Sequence, residues 1–348
     1  MSLFVCAGAL VLRKLFAATG VALVVLASQG AVAWAATPPP AAVADDDQGK
    51  AQAILDRAQV LTQLLDEVSG SIQGVDLTAV SRAPTPQTVA SVVAQLEQSQ
   101  VAASRAAARL RALPAWTGTG EDDRLIAAAS RDAVVFADDV VELIGAMRTS
   151  LTLAGKGDKA AFQKAQDKLM SGGVKMLVGQ ALSARTRAAM MPKDAADRHI
   201  VLAQAEIYEG FGSVLSYSGG FTEWASAAKA LRTFEANVRK QTIAGREREF
   251  DQVKSDRAEL ADGLLDPVLR AAFDRQHALQ LDVFKSLERS ADALGAIAGK
   301  LEASGGKRLQ LRPDMLPLEK EESVQSQLMQ EQMAAYQQMV DRANELAK

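Results

Sequence analysis

Apolar residues recur through this chain at alternating steps of three and four, run after run. That rhythm leaves it little to become except helices laid side by side. Over 47–72 the seam is Ala51, Ile54, Ala58, Leu61, Leu65, Val68 and Ile72. Thr85-Pro86, a capping residue followed by the residue favoured at the first helical position, opens a second run. Val89, Val92, Leu96, Ser99, Ala103, Ala106, Leu110 and Leu113 carry it to Pro114, which ends it. A third run, 121–153, places Ala129, Ala133, Phe136, Val140, Leu143 and Met147 on its seam. A fourth, 158–191, places Phe162, Ala165, Leu169, Gly172, Met176 and Gly179 there and stops at Pro192. Abundant alanine, with only 5% aromatic residues, suits helices that approach one another closely.

A second group follows. Over 194–217 Ile200, Ile207, Phe211 and Val214 share a face, and Ser218-Gly219-Gly220 reads as a turn. Thr222 is placed to cap a helix carrying Trp224, Ala228, Leu231 and Val238, with a break expected near Gly245. Between Arg239 and Asp262 six basic residues meet six acidic ones beside a narrow stripe of Phe250, Val253, Leu260 and Leu264. Such a stretch reads as a solvated helix laced with ion pairs rather than a nucleic-acid surface. Asp266-Pro267 starts the clearest helix, with Phe273, Gln280, Leu287, Leu294 and Leu301 every seven residues. His277, Phe284, Ala291 and Ala298 keep the same interval. The expected fold is all-α: antiparallel helical bundles with heptad-type, coiled-coil-like packing. Residues 50–192 form a first bundle of about four helices, 193–305 a second, 306–317 a linker and 318–348 a C-terminal docking helix; one long bundle is the alternative. On that last helix Val324, Leu328, Ala335 and Met339 form one stripe, and Met329, Met333, Tyr336 and Val340 another. Two stripes imply contact on two sides and a helix separable from the rest.

Residues 1–36 have the layout of a secretory signal peptide. Arg13-Lys14 precede an apolar stretch from Leu15 to Ala27, and Ala31-Val32-Ala33 and Ala33-Trp34-Ala35 both fit small-x-small cleavage. The apolar run before Arg13 places the start of translation near Val11 or Leu12. Residues 37–49, rich in Pro and Ala with Asp45-Asp46-Asp47, read as a flexible tether. The expected location is periplasmic or secreted, with an inner-membrane anchor as the alternative if the leader stays attached. Without Arg13 and Lys14 the 39 basic residues fall to 37 against 42 acidic, a net charge of -5, which argues against nucleic acid as a partner. The single cysteine, Cys6, precedes the leader's basic pair, so the exported chain has no thiol chemistry.

Nothing in the sequence composes a catalytic site. His199 and His277 are the only histidines, and neither belongs to a Glu-x-x-His or His-Glu-x-x-His motif. No Gly-x-Ser-x-Gly elbow and no phosphate-cradling glycine loop occurs. The reading is therefore no enzyme, no metal and no cofactor. Asp132 and Asp139, seven apart beside the third seam, read as partners for arginines, and His199 and Glu206 as a solvated polar face. His277 and Gln280 occupy consecutive seam positions and read as a polar core layer that fixes register. That reading expects replacement of both by leucine to leave the protein folded and no less stable. The candidate ligand or partner surface is Tyr208, Phe211, Tyr217, Phe221 and Trp224, concentrated around one turn with Gly210 and Gly212 beside them to leave a groove. The expected function is binding of another envelope protein, or self-association. The alternative is reception of a small, partly aromatic ligand between helices.

Overall fold

The computed structural model describes residues 44–73, 75–76, 79–80, 85–118, 120–156, 159–259, 266–309 and 311–346. Eight long helices account for nearly all of them: α1 (Ala44–Gln73), α2 (Pro86–Ala112), α3 (Glu121–Gly155), α4 (Lys159–Met190), α5 (Ala196–Gly219), α6 (Trp224–Glu259), α7 (Pro267–Ala303) and α8 (Arg312–Leu346). No strand occurs among the described residues. The leader, 1–36, and the first part of the Pro/Ala segment lie outside them.

Each helix packs on the next, and α1 also meets α3, as α5 meets α7. The order is thus a triangle, α1–α2–α3, with α4 against α3, then a triangle, α5–α6–α7, with α8 against α7, joined through α4 and α5. Ion pairs between neighbours record their antiparallel course. Along α6, Arg239, Arg246 and Arg257 pair in turn with Asp292, Glu288 and Asp274 of α7. The charged stretch of α6 is therefore laced to its neighbour helix, not only along itself.

The seams of α1, α2, α3 and α7 face inward. Leu61, Leu96, Phe136, Phe284 and Leu294 are fully buried, and one apolar core continues from Ala58 of α1 to Met329 of α8. A small second cluster, Leu269, Ala272, Phe273 and Met339, closes the far end of α7 and α8. At this length burial of one stripe per helix is the main stabilising term, since helix propensity alone contributes little.

Several local features depart from the sequence reading. α4 turns a different face inward: Leu169 and Met176 are buried, but Gly179 is exposed and a Cβ added there would meet no neighbouring helix, while Leu177, Ala181, Ala184 and Ala188 are buried instead. A helix that packs on both α3 and α5 needs two apolar faces, and a single seam drawn through it runs off both. α6 does not break at Gly245 but continues through it. Thr222 does not cap α6; its hydroxyl lies 2.6 Å from that of Ser216. Phe250, assigned to an inward stripe, is 63% exposed. α8 begins at Arg312, ahead of the expected 318, with Pro313 tolerated in its first turn and Pro317 inside the helix.

Candidate functional site

Most of the aromatic segment at the α5–α6 turn is spent on packing. Tyr208, Phe211 and Tyr217 are buried, Trp224 is half-buried and only Phe221 stands out, at 49% exposure. Burial, and then the nearby Glu322, push the Tyr208 hydroxyl well above its ordinary pKa. Tyr217 accepts a hydrogen bond at 2.9 Å from the backbone N–H of Leu309, and Arg308 donates to the Ser218 carbonyl, so this turn seats the α7–α8 connection. The groove expected beside Gly210 and Gly212 is filled. A Cβ on Gly210 would lie 2.6 Å from Leu294 Cδ2, and one on Gly212 would touch Leu177. What remains for a partner here is Phe221 and one edge of Trp224.

The polar layer is present and wider than two residues. His277 on α7 is bonded through Nδ1 to the Glu249 carboxylate of α6, which is only 3% exposed. Gln280 donates to Asp197 of α5 and accepts at 2.6 Å from Gln332 of α8. Further along, Glu321 of α8 accepts from Ser286 and Arg289 at 2.8 Å, and Gln325 donates to Ser286 and Ser290. The inward stripe of α8 is thus as much Glu and Gln as Met and Leu. Met329 and Met339 are buried in it; the side chain of Met333 lies outside the described residues.

The remaining polar candidates are occupied by one another. His199 Nδ1 is 2.8 Å from Gln241, while Glu206 takes Arg185 at 2.8 Å and Asn237 at 2.9 Å. Asp132 holds Arg187 at 2.7 Å. Burial pushes the Asp139 carboxyl up, and Lys175, a lysine rather than an arginine, pulls it back. No group of three or more His, Cys, Asp or Glu able to hold a metal occurs among the described residues.

One open surface feature was not read from the sequence. α3 lies between α2 and α4, and its outward side floors a cleft of about 700 Å³ that continues into one of about 370 Å³. Small residues make the floor and wall: Gly145 and Ala146 of α3, Ala161, Ala165 and Gly172 of α4. Arg148, Lys164, Lys168 and Lys175 stand around it against the carboxylates of Asp139 and Glu142. Lys168 and Glu142 are 3.7 Å apart, both well exposed, a geometry worth little to stability. On α4 the exposed residues Lys164, Lys168, Ser171, Lys175, Val178 and Leu182 follow steps of four and three, which puts them in one line. That line is cationic at its start and apolar at its end, where Val178 is 49% and Leu182 65% exposed. Val135, 59% exposed, extends the α3 stripe of Asp139, Glu142 and Ala146 alongside. The signal was in the sequence as a third, solvent-side stripe of α4, hidden because apolar residues occur on every side of that helix.

The fold and these surfaces define an all-α helical-bundle protein with a grooved face. Comparison with protein-family models, with curated proteins and with solved structures finds no match to the chain. No described helix is long and apolar enough to cross a membrane.

Proposed function

We propose that this is a non-enzymatic binding protein of the cell envelope, and that the α2–α3–α4 groove receives a helix of another protein. The observation that carries this reading is the line on α4, from Lys164 through Lys175 to Leu182, beside a floor of Gly and Ala. Small floor residues admit a helix backbone closely, and an exposed apolar pair next to a cationic rim marks a contact surface rather than a solvated one. Four cations face two carboxylates in the paired clefts, so the fitting partner helix is acidic where it meets Lys164 and Lys168 and apolar where it meets Val178 and Leu182. The leader-like residues 1–36 support an exported, periplasmic setting for that partner.

A photo-reactive residue at Leu182, in protein made in its native host, tests the groove. The expected outcome is one dominant cross-linked protein species, lost when Lys164 and Lys168 are both changed to Glu and retained when Lys229, on α6, is changed to Glu. A cross-link yield indifferent to the double change, or no cross-link at all, overturns the reading.

A further inference from the structure

We infer that a single water molecule is bound where α5, α7 and α8 meet and forms part of the seat of α8. A cavity of about 10 Å³ lies there, where Ile207 and Leu318 adjoin Gln204 and Tyr208 of α5, Ser290 of α7, and Glu322 and Gln325 of α8. That is about the space one water needs. Gln204 is 3% exposed and its Nε2 has no hydrogen-bond partner in the protein. A buried amide donor left unmet costs free energy comparable to a lost hydrogen bond, and such groups are met in nearly all folded proteins.

The walls select the occupant. An amide N–H donor disfavours a cation, and the Glu322 carboxylate disfavours an anion. Ile207 and Leu318 make part of the wall apolar, but the unmet Gln204 amide calls for an occupant that accepts a hydrogen bond, and the volume holds nothing larger than a single heavy atom. Gln325 already donates to Ser286 at 3.3 Å and to Ser290 at 3.2 Å, so what it brings to the cavity is its carbonyl oxygen. A water accepting from Gln204 Nε2 and donating to an oxygen of Gln325, Ser290 or Glu322 satisfies the orphan and ties three helices together. Three of the lining residues, Leu318, Glu322 and Gln325, belong to α8, so the site is complete only with that helix in place.

A crystal structure of the full chain that resolves ordered water, paired with water-exchange NMR on glutamine-labelled protein, tests this. The expected results are density within hydrogen-bonding distance of Gln204 Nε2 and a cross-peak between that amide and a long-lived water. Gln204→Leu should lack the cross-peak and melt at the same temperature or higher, because it removes the donor and fills the space together. A Gln204 amide bonded directly to a protein oxygen with no water beside it overturns the inference, as does a Gln204→Leu protein that melts markedly lower.

Discussion

Glu249 carries the sharpest consequence at the scale of single residues. Its carboxylate is 3% exposed and meets His277 across the α6–α7 interface. Sequence spacing placed His277 on the seam and implied a polar partner, but gave no means of seeing that the partner is a buried acid from another helix. That changes the sign of an expectation. Replacing His277 and Gln280 by leucine strands Glu249 and removes the hydrogen bonds that Gln280 makes with Asp197 and Gln332. Leaving a buried carboxylate without its donor costs about 3 kcal/mol. The double variant should therefore unfold at clearly lower denaturant concentration with an unchanged slope, and adding Glu249→Leu should recover much of the loss. If the double variant is as stable as the parent, the layer sets register only. Gly245 shows the same limit of sequence reading. A methyl group there would lie 2.3 Å from the Phe284 ring and 2.9 Å from His199 Cβ. This glycine is a crossing point of α5, α6 and α7, which a chain read one helix at a time mistakes for a break.

At the scale of helices, periodicity was legible wherever a helix has one buried face and illegible where it has two. α1, α2, α3 and α7 turned inward the residues their spacing selected, whereas α4, packed on both sides, did not. α8 is the other informative case, because polar residues interrupt its inward stripe and charged ends secure it. Asp266 caps α7 by accepting from the N–H groups of Val268 and Leu269 at 3.0 and 2.9 Å, and it receives Arg342 of α8 at 2.6 Å. The Arg342 hydrogen bond first, and then the Leu269 N–H, hold its carboxyl at about 2 instead of the ordinary 3.8. A pKa lowered by folding stabilises the folded state above the ordinary value, and that advantage is lost as pH falls through the folded one. The Asp266→Asn variant keeps a capping oxygen and loses the charge. Its melting temperature should lie below that of the parent at neutral pH, and the gap should close as the pH is lowered from 3.8 toward 2. A gap that stays constant across that range would remove the ion pair from any account of how α8 is fastened.

The whole molecule raises the question of how many pieces unfold. Chain composition permits two bundles meeting near Pro192, yet the contact between α4 and α5 is built like the contacts inside each group. Arg185 of α4 holds both Glu206 and Glu209 of α5, Arg198 donates to the Ala188 carbonyl at 3.0 Å, and Leu177 packs against the backbone at Gly212. The apolar core crosses this junction without interruption. Separating the groups would strand Arg185 and open Leu177 to water, so each should raise the stability of the other. Two tryptophans make the test direct, since Trp116 packs against the core ahead of α3 and Trp224 packs against it at the start of α6. With Trp34 replaced by phenylalanine in both, a Trp116→Phe protein reports only from the second group and a Trp224→Phe protein only from the first. In each protein the fluorescence unfolding curve should coincide with that protein's own far-UV circular dichroism curve, as a single cooperative unit requires. Two separated midpoints would instead place a true domain boundary at the α4–α5 turn. In that case α4 and the groove it lines could open or close without disturbing the helices that hold α8.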